Sequence, residues 1–266
     1  MPAAGFTVVI DAWRLSVGTL TALPVQAPGS VDRRRAGMAM VLAPMAVLPL
    51  GVAVALVGVA GHVLDLPVLL TALLALGVSA LGTRGLHLDG LSDVADALAA
   101  SYDRERALAV MKSGAAGPAG VVTVVLMLGI QATALSAVLT GARADGSWWG
   151  GAILAGVALC ASRAALVACC ARGIPPARRD GLGHDIAQSV PVILGALVWL
   201  VVALALTGFT VWASLAWWRG PVAAAAALLV VLVILTRAVR RFGGVTGDVF
   251  GACVEAAFAT LLVALS

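Results

Sequence analysis

Apolar residues in this chain run in long blocks, at 37–61, 66–84, 117–141, 148–171, 190–212, 220–237 and 248–265, most of them near twenty residues long. A helix of that length crosses about 30 Å of hydrocarbon at 1.5 Å per residue, so the pattern predicts seven spanning helices. Pro44 and Pro49 interrupt the first block, and Asp248 and Glu255 interrupt the last. Residues 6–23 follow a different rule. Phe6, Val9, Ile10, Trp13, Val17 and Leu20 recur every three to four positions beside Asp11 and Arg14. That spacing predicts an amphipathic helix lying in the membrane interface. A second non-spanning helix is expected over 87–112 and a polar loop over 172–189. The predicted fold is all-α, a polytopic membrane helical bundle forming one integral membrane domain over 1–266. No internal repeat of the inverted kind stands out.

Composition agrees. Soluble chains are about 45–50% apolar and about 25% charged, whereas here 62% of residues are hydrophobic and 11% charged. The mean hydropathy is +1.07. The stretch MPAAGFTVVIDAWRLS has no basic run, and Asp11 and Arg14 break its apolar part, so it does not resemble a secretory signal. Cys160, Cys169, Cys170 and Cys253 lie in apolar helices without CxxC or His spacing, as small hydrophobes do.

Charge sets the orientation. Arg33–Arg35, then Arg84, Arg104, Arg106 and Lys112, then Arg172, Arg178 and Arg179, then Arg237, Arg240 and Arg241 fall on one side of the predicted membrane. The other side holds Arg143 and Arg219, with Trp148, Trp149, Trp212, Trp217 and Trp218 as an aromatic belt. The positive-inside rule makes the basic side cytoplasmic. A net charge of +4 spread over loops gives no basic patch, so no nucleic-acid partner is expected.

Against this background the stretch HLDGLSDVADAL, residues 87–98, stands out. Asp89, Asp93 and Asp96 fall at i, i+4 and i+7, within about 60° on a helical wheel. No Lys or Arg follows before Arg104. Three carboxylates on one stripe need a compensating cation, and oxygen donors without imidazole or thiolate favour Mg²⁺ or Mn²⁺. The stripe extends about 10 Å along the axis, room for two metals or one metal and a base. Gly90 would let a phosphate approach the backbone, and His87 stands directly before the stripe.

A second group lies in RRFGGVTGDVFGACVEAAFA, residues 240–259. Gly243, Gly244 and Gly247 form a turn suited to cradling phosphate at a helix N-terminus. Asp248 opens that helix as a site residue or as its N-cap, and Glu255 follows on the same face, where it needs a cation or a partner. Lys112 is a phosphate contact or an interface anchor. Arg163, deep in ALCASRAALVA, calls for a bound phosphate or an acid partner. His184, in the 172–189 loop, is placed to meet substrate. Walker A, nucleophile-elbow and kinase motifs are absent. Acids, a hard cation and scattered Arg and Lys at one membrane face describe phosphoryl chemistry on a diphosphate.

These motifs resemble, in order and over most of the chain, those of the cobalamin synthase family of adenosylcobinamide-GDP ribazoletransferases. GLHLDGLSDVADAL is similar to that family's Gly-x-His-x-Asp-Gly-x-x-Asp-x-x-Asp signature, and RRFGGVTGDVFGA to its C-terminal signature. LTALPV, RERALAVMK with Gly117, SRAALVA and PPARRDGLG resemble weaker segments. Arg84 stands where the family has a Gly, Ala22 replaces a frequent Arg, and SGAAG after Lys112 lacks the usual charged residues. The resemblance implies transfer of the phosphocobinamide unit of adenosylcobinamide-GDP to α-ribazole or its 5′-phosphate, with release of GMP. It implies Mg²⁺ held by Asp89, Asp93, Asp96 and Asp248, phosphates held by Lys112, Arg163 and Arg241, and residence in the bacterial inner membrane. Asp89, Asp93 and Asp96 are the expected catalytic residues, one of them taking the ribazole hydroxyl proton. His87, Gly90, Gly244, Gly247 and Glu255 are expected around the substrate. The amphipathic N-terminal helix suggests lateral contacts, with a second copy of the chain or with other enzymes of the corrinoid pathway.

Two other readings compete. A CDP-alcohol phosphatidyltransferase also begins an acidic helix with Asp-Gly, but with Gly-x-x-x-Asp-x-x-x-Asp spacing. A cation-coupled transporter would place acids near the midplane on several helices.

Overall fold

The computed structural model describes residues 2–144 and 148–266, and residues 1 and 145–147 lie outside them. The described chain is all helical: α1 (Pro2–Leu20), α2 (Arg33–Ala46), α3 (Leu48–Val63), α4 (Val68–Gly82), α5 (Leu86–Ala100), α6 (Arg104–Ser113), α7 (Pro118–Ala144), α8 (Trp148–Ser162), α9 (Ala165–Cys169), α10 (Leu182–Ile186), α11 (Val192–Trp212), α12 (Arg219–Phe242) and α13 (Gly247–Leu265). The described residues form no strand, only the isolated bridges Ala171–Val190 and Pro176–Val245.

Six stretches are long and apolar enough to cross a membrane: Arg33–Val63, Pro118–Gly141, Trp149–Cys169, Val192–Trp212, Arg219–Phe242 and Gly247–Leu265. The first joins α2 and α3 across Val47, where Pro44 and Pro49 withhold backbone donors. The block expected as a full span over 66–84 is shorter. Helix α4 has 15 residues, about 22 Å at 1.5 Å per residue, and α5 leaves it at 89°. Arg84 (φ 59°) and Gly85 (φ 68°), both left-handed, make that corner. The end of α4 meets the loop after α1, where the Gly82 carbonyl accepts the Ala22 N–H at 2.7 Å. So α4 is a short traverse, and α5 lies across the bundle at its arginine-rich end.

The expected 87–112 helix is in fact two. Ser101 is extended (φ −162°), and Asp103 caps α6 by accepting the Arg106 N–H at 2.8 Å. The guanidinium of Arg241 takes the carbonyls of Ser101 (2.6 Å) and Leu98 (3.3 Å), closing off the end of α5.

Helices α8 and α13 form the centre. Buried residues run along nearly the whole of α13, which packs on α5, α7, α8, α9 and α12. Small residues permit the closest crossings: a Cβ on Gly51 of α3 would stand 2.8 Å from the Gly156 carbonyl of α8, the close approach that holds helices together in lipid. Leu69, Leu73, Val125, Leu126, Leu200, Val201, Leu229 and Val233 face outward, as a lipid-facing surface requires. Trp149, Trp212, Trp217 and Trp218 are exposed at the end opposite the arginines. Helix α1 is clasped to α2 through Asp11, which accepts the Gly29 N–H at 2.9 Å and pairs with Arg35 at 3.0 Å. These two bonds, the backbone one first, hold the Asp11 carboxyl below its ordinary value.

Candidate active site

On α5, Asp89 lies toward the start of α13 and Asp96 toward the start of α7, while Leu91, Val94 and Leu98 take the opposite, apolar face. The helix packs on α13 through glycines. A Cβ on Gly90 would lie 2.7 Å from the Asp248 carbonyl, and one on Gly251 would lie 2.9 Å from the His87 carbonyl. Gly90 is therefore occupied by the facing helix, which corrects the expectation that it opens the backbone to a phosphate. The crossing brings Asp89 and Asp248 to the wall of one cavity.

Asp248 is free for that role because it is not the N-cap of α13. The cap is Thr246, whose Oγ1 accepts the Val249 N–H at 3.3 Å. One turn along α5 from Asp89, Asp93 is buried. Burial foremost, then the charges of Asp89, Asp248 and Asp96, push its carboxyl up to about 6, against a smaller opposing pull from Arg178. Like charges gathered at this density favour a bound cation.

Asp96 has an additional occupation. Its oxygens accept the N–H groups of Gly117 (2.7 Å) and Gly120 (2.8 Å), tying α5 to the start of α7. Side chains at Gly117 and Gly120 would collide with that carboxylate. The sequence reading had noted Gly117 only as part of a resemblance; the contact supplies its reason.

The cavity, about 250 Å³, is also walled by Thr19 and Leu20 of α1, Arg178, Asp180 and His184 of the 172–189 loop, and Gly247. It is smaller than the roughly 300–1,000 Å³ typical of pockets for whole small ligands, so it suits the charged end of a larger molecule. The loop is pinned over it. Ala177 N–H donates to the Val245 carbonyl (2.8 Å), Val245 N–H to Pro175 (2.9 Å), Arg104 to the Ala177 carbonyl (3.0 Å) and Arg178 to the Leu108 carbonyl (2.8 Å). Lys112 pairs with Asp180 at 3.3 Å. Arg178 is the cation whose charge reaches both Asp93 and Asp248. Spacing had grouped it only with the loop arginines; the PPARRDGLG segment was the available signal.

Other expected site residues sit elsewhere. Gly244 packs under Pro175–Ala177, and Gly243 is the left-handed cap of α12, so of the three glycines only Gly247 lines the cavity, beside Val245 and Thr246. Arg241 holds the α5 carbonyls and lies 4.3 Å over the Tyr102 ring. Glu255 is buried two turns below Asp248 and accepts the Gln131 Nε2 at 2.7 Å. Arg163 is 1% exposed, at the α8–α9 break, where its Nη1 donates to the Leu159 carbonyl and to Ser162 Oγ, both at 2.9 Å. Its charge reaches Glu255 and His87, and it does not line the cavity, so it is not placed to hold a phosphate there. His87 touches the cavity wall, with both ring nitrogens buried and unpartnered among the described residues.

The donor chemistry at the cavity, carboxylates without thiolate, fits a hard divalent cation. No three His, Cys, Asp or Glu side chains among the described residues converge to grip an ion alone. Mg²⁺ does not require that, since it usually keeps waters and binds through one or two carboxylates plus substrate phosphates.

Comparison with known proteins agrees with the signatures. Residues 12–266 match the family model described as cobalamin-5-phosphate synthase. A Nocardioides protein named adenosylcobinamide-GDP ribazoletransferase is 49% identical over 96% of this chain and 97% of its own. Proteins of the same name from Frankia casuarinae and Pseudomonas paraeruginosa are 37% and 35% identical, over 94% and 93% of this chain and 92% and 94% of theirs. No solved structure matches. With its acidic helix, its glycine turn and nearly its whole length accounted for, the chain belongs to the cobalamin-5-phosphate synthase family.

Proposed function

We propose that this protein joins adenosylcobinamide-GDP to α-ribazole, or to α-ribazole 5′-phosphate, releasing GMP, in the last assembly stage of cobalamin synthesis. The observation that carries the reading is that Asp89, Asp248 and Arg178 line one cavity on the arginine-rich end of a membrane bundle, with Asp93 buried one turn along α5 within reach of their charges. The relatives' names supply the substrates.

Asp89 and Asp248 at the cavity would hold Mg²⁺ together with waters and substrate phosphates, with Asp93 and Asp96 adding negative charge from the same stripe. When bound, that cation would supply charge neutralisation for the diphosphate and the leaving phosphate. Arg178, fixed by the Leu108 carbonyl, holds a phosphate oxygen. The ribazole hydroxyl oxygen bonds to the phosphorus attached to cobinamide, and the bond from that phosphorus to the bridging oxygen breaks. GMP leaves with that oxygen, and the hydroxyl proton passes to a carboxylate of the stripe. The nucleotide end enters the cavity while the corrinoid stays outside it. The arginine distribution supports a cytoplasmic position for this end of a multi-pass protein of the bacterial inner membrane.

The test is GMP release by protein in nanodiscs given adenosylcobinamide-GDP and α-ribazole, with and without Mg²⁺. Metal-dependent GMP matched by cobalamin is expected. Folded protein that releases no GMP but carries out ion-coupled uptake would make it a transporter instead.

A further inference from the structure

The back of α5, away from the acids, roofs a second cavity of about 810 Å³ between α5, the start of α7 and the end of α12. Its walls are apolar, with Leu91, Ala95 and Leu98 above and Val233 and Ile234 beside. Two cations line it, Arg237 and Arg240, and no acid does. Both arginines are exposed. Neither has a hydrogen-bond or ion-pair partner among the described residues, in contrast to Arg241, which is committed to α5. The groove is continuous with the outward, lipid-facing residues Val121, Val125, Leu229 and Leu232 of two spanning helices.

We propose that this groove binds an anionic phospholipid, its acyl chain under α5 and its phosphate on Arg237 and Arg240. Charge complementarity selects the occupant: the two guanidinium groups stand three residues apart on one helix face, at the end of an apolar cleft open to lipid. Basic pockets between spanning helices take acidic head groups for this reason, and guanidinium is well matched to phosphate. A bound lipid would brace α5 from behind, opposite the carboxylates.

Native mass spectrometry of the full chain, from micelles holding phosphatidylglycerol and phosphatidylcholine with the same acyl chains in equal amounts, tests this. Retention of phosphatidylglycerol over phosphatidylcholine by about twenty-five-fold is expected, falling about five-fold for each arginine replaced in Arg237→Gln and Arg240→Gln, from roughly 1 kcal/mol per basic residue. Both residues are exposed, so the replacements leave the fold intact. Ala95→Phe, which fills the groove, should exclude both lipids. Equal retention of the two lipids by the unaltered protein, or unchanged preference in the double arginine variant, overturns the proposal. So does a dimer that Ala95→Phe dissociates, since the occupant is then a second copy.

Discussion

Two sets of buried or half-buried acids in this protein are treated in opposite ways. Glu255, Asp96 and Asp11 each have their charge answered by the fold: Glu255 by Gln131 and nearby Arg163, Asp96 by two N–H groups of α7, and Asp11 by Gly29 and Arg35. Asp89 and Asp248 line a cavity with Asp93 close behind them on α5, and apart from a Thr246 hydrogen bond to Asp248 their charges are offset by Arg178. Burying an unanswered charge is costly. A chain that answers some acids and leaves others exposed to one another shows which are structural and which await a ligand. Removal of the first kind should cost stability, and removal of the second should cost activity.

The largest expected effect is on turnover. Asp93→Asn and Asp248→Asn should each lower GMP release by about a thousand-fold or more, on the scale of losing metal and charge stabilisation. Thermal unfolding in detergent should be unchanged or higher, because like-charge repulsion is relieved. A large fall in melting temperature for either would place that acid among the structural ones.

Glu255→Ala should do the reverse in kind. It strands Arg163 in the bundle and leaves Gln131 without its acceptor, so about 3 kcal/mol of stability should be lost, read by unfolding in mixed micelles. Glu255→Gln, which keeps a hydrogen-bonding group, should lose much less. Equal losses would show that the charge near Arg163 decides, not the hydrogen bond.

Smaller again is an effect of pH on the α1–α2 clasp. The folded carboxyl of Asp11 is lowered chiefly by the Gly29 N–H and then by Arg35. Its contribution is therefore complete above the ordinary carboxylate value near 4 and disappears as pH falls through the lower folded value. Hydrogen exchange at the Gly29 amide should accelerate as pH drops below about 4, relative to unclasped amides. Asp11→Asn should show the faster exchange at every pH.

The smallest effect is expected at Arg84, in the left-handed corner between α4 and α5. Its left-handed backbone (φ 59°) costs a non-glycine residue about 1 kcal/mol, while its guanidinium donates to the Gly18 carbonyl at 2.8 Å. Arg84→Gly should leave the melting temperature within a degree or two, the relief offsetting the lost bond. Arg84→Ala keeps the strain and loses the bond, so it should be the less stable of the two.

Much of this arrangement was legible beforehand, for particular reasons. Blocks of Ala, Val and Leu predicted the spans because a bilayer of known thickness leaves little choice of length. The four-and-three spacing of Asp89, Asp93 and Asp96 predicted one helical stripe because side chains on a helix repeat every 3.6 residues. The break at Ser101 was not visible, since it depends on Arg241 reaching back 140 positions to take the α5 carbonyls. Nor was the displacement of Asp248 from the N-cap by Thr246, a choice between two competent residues two positions apart.

Periodicity, length and charge asymmetry are properties of neighbours along the chain, so the sequence alone determined the helical membrane class, the gathering of its basic loops at one end and the acidic stripe. Tertiary structure decided what each polar group is for. Gly90 admits α13, Gly117 and Gly120 admit the Asp96 carboxylate, and Arg178 is carried over the acids by its own bond to the Leu108 carbonyl and by its neighbour Ala177's bond to the Val245 carbonyl. Those roles are set by which helices cross within a few ångströms, and distance through space is not written in distance along the chain.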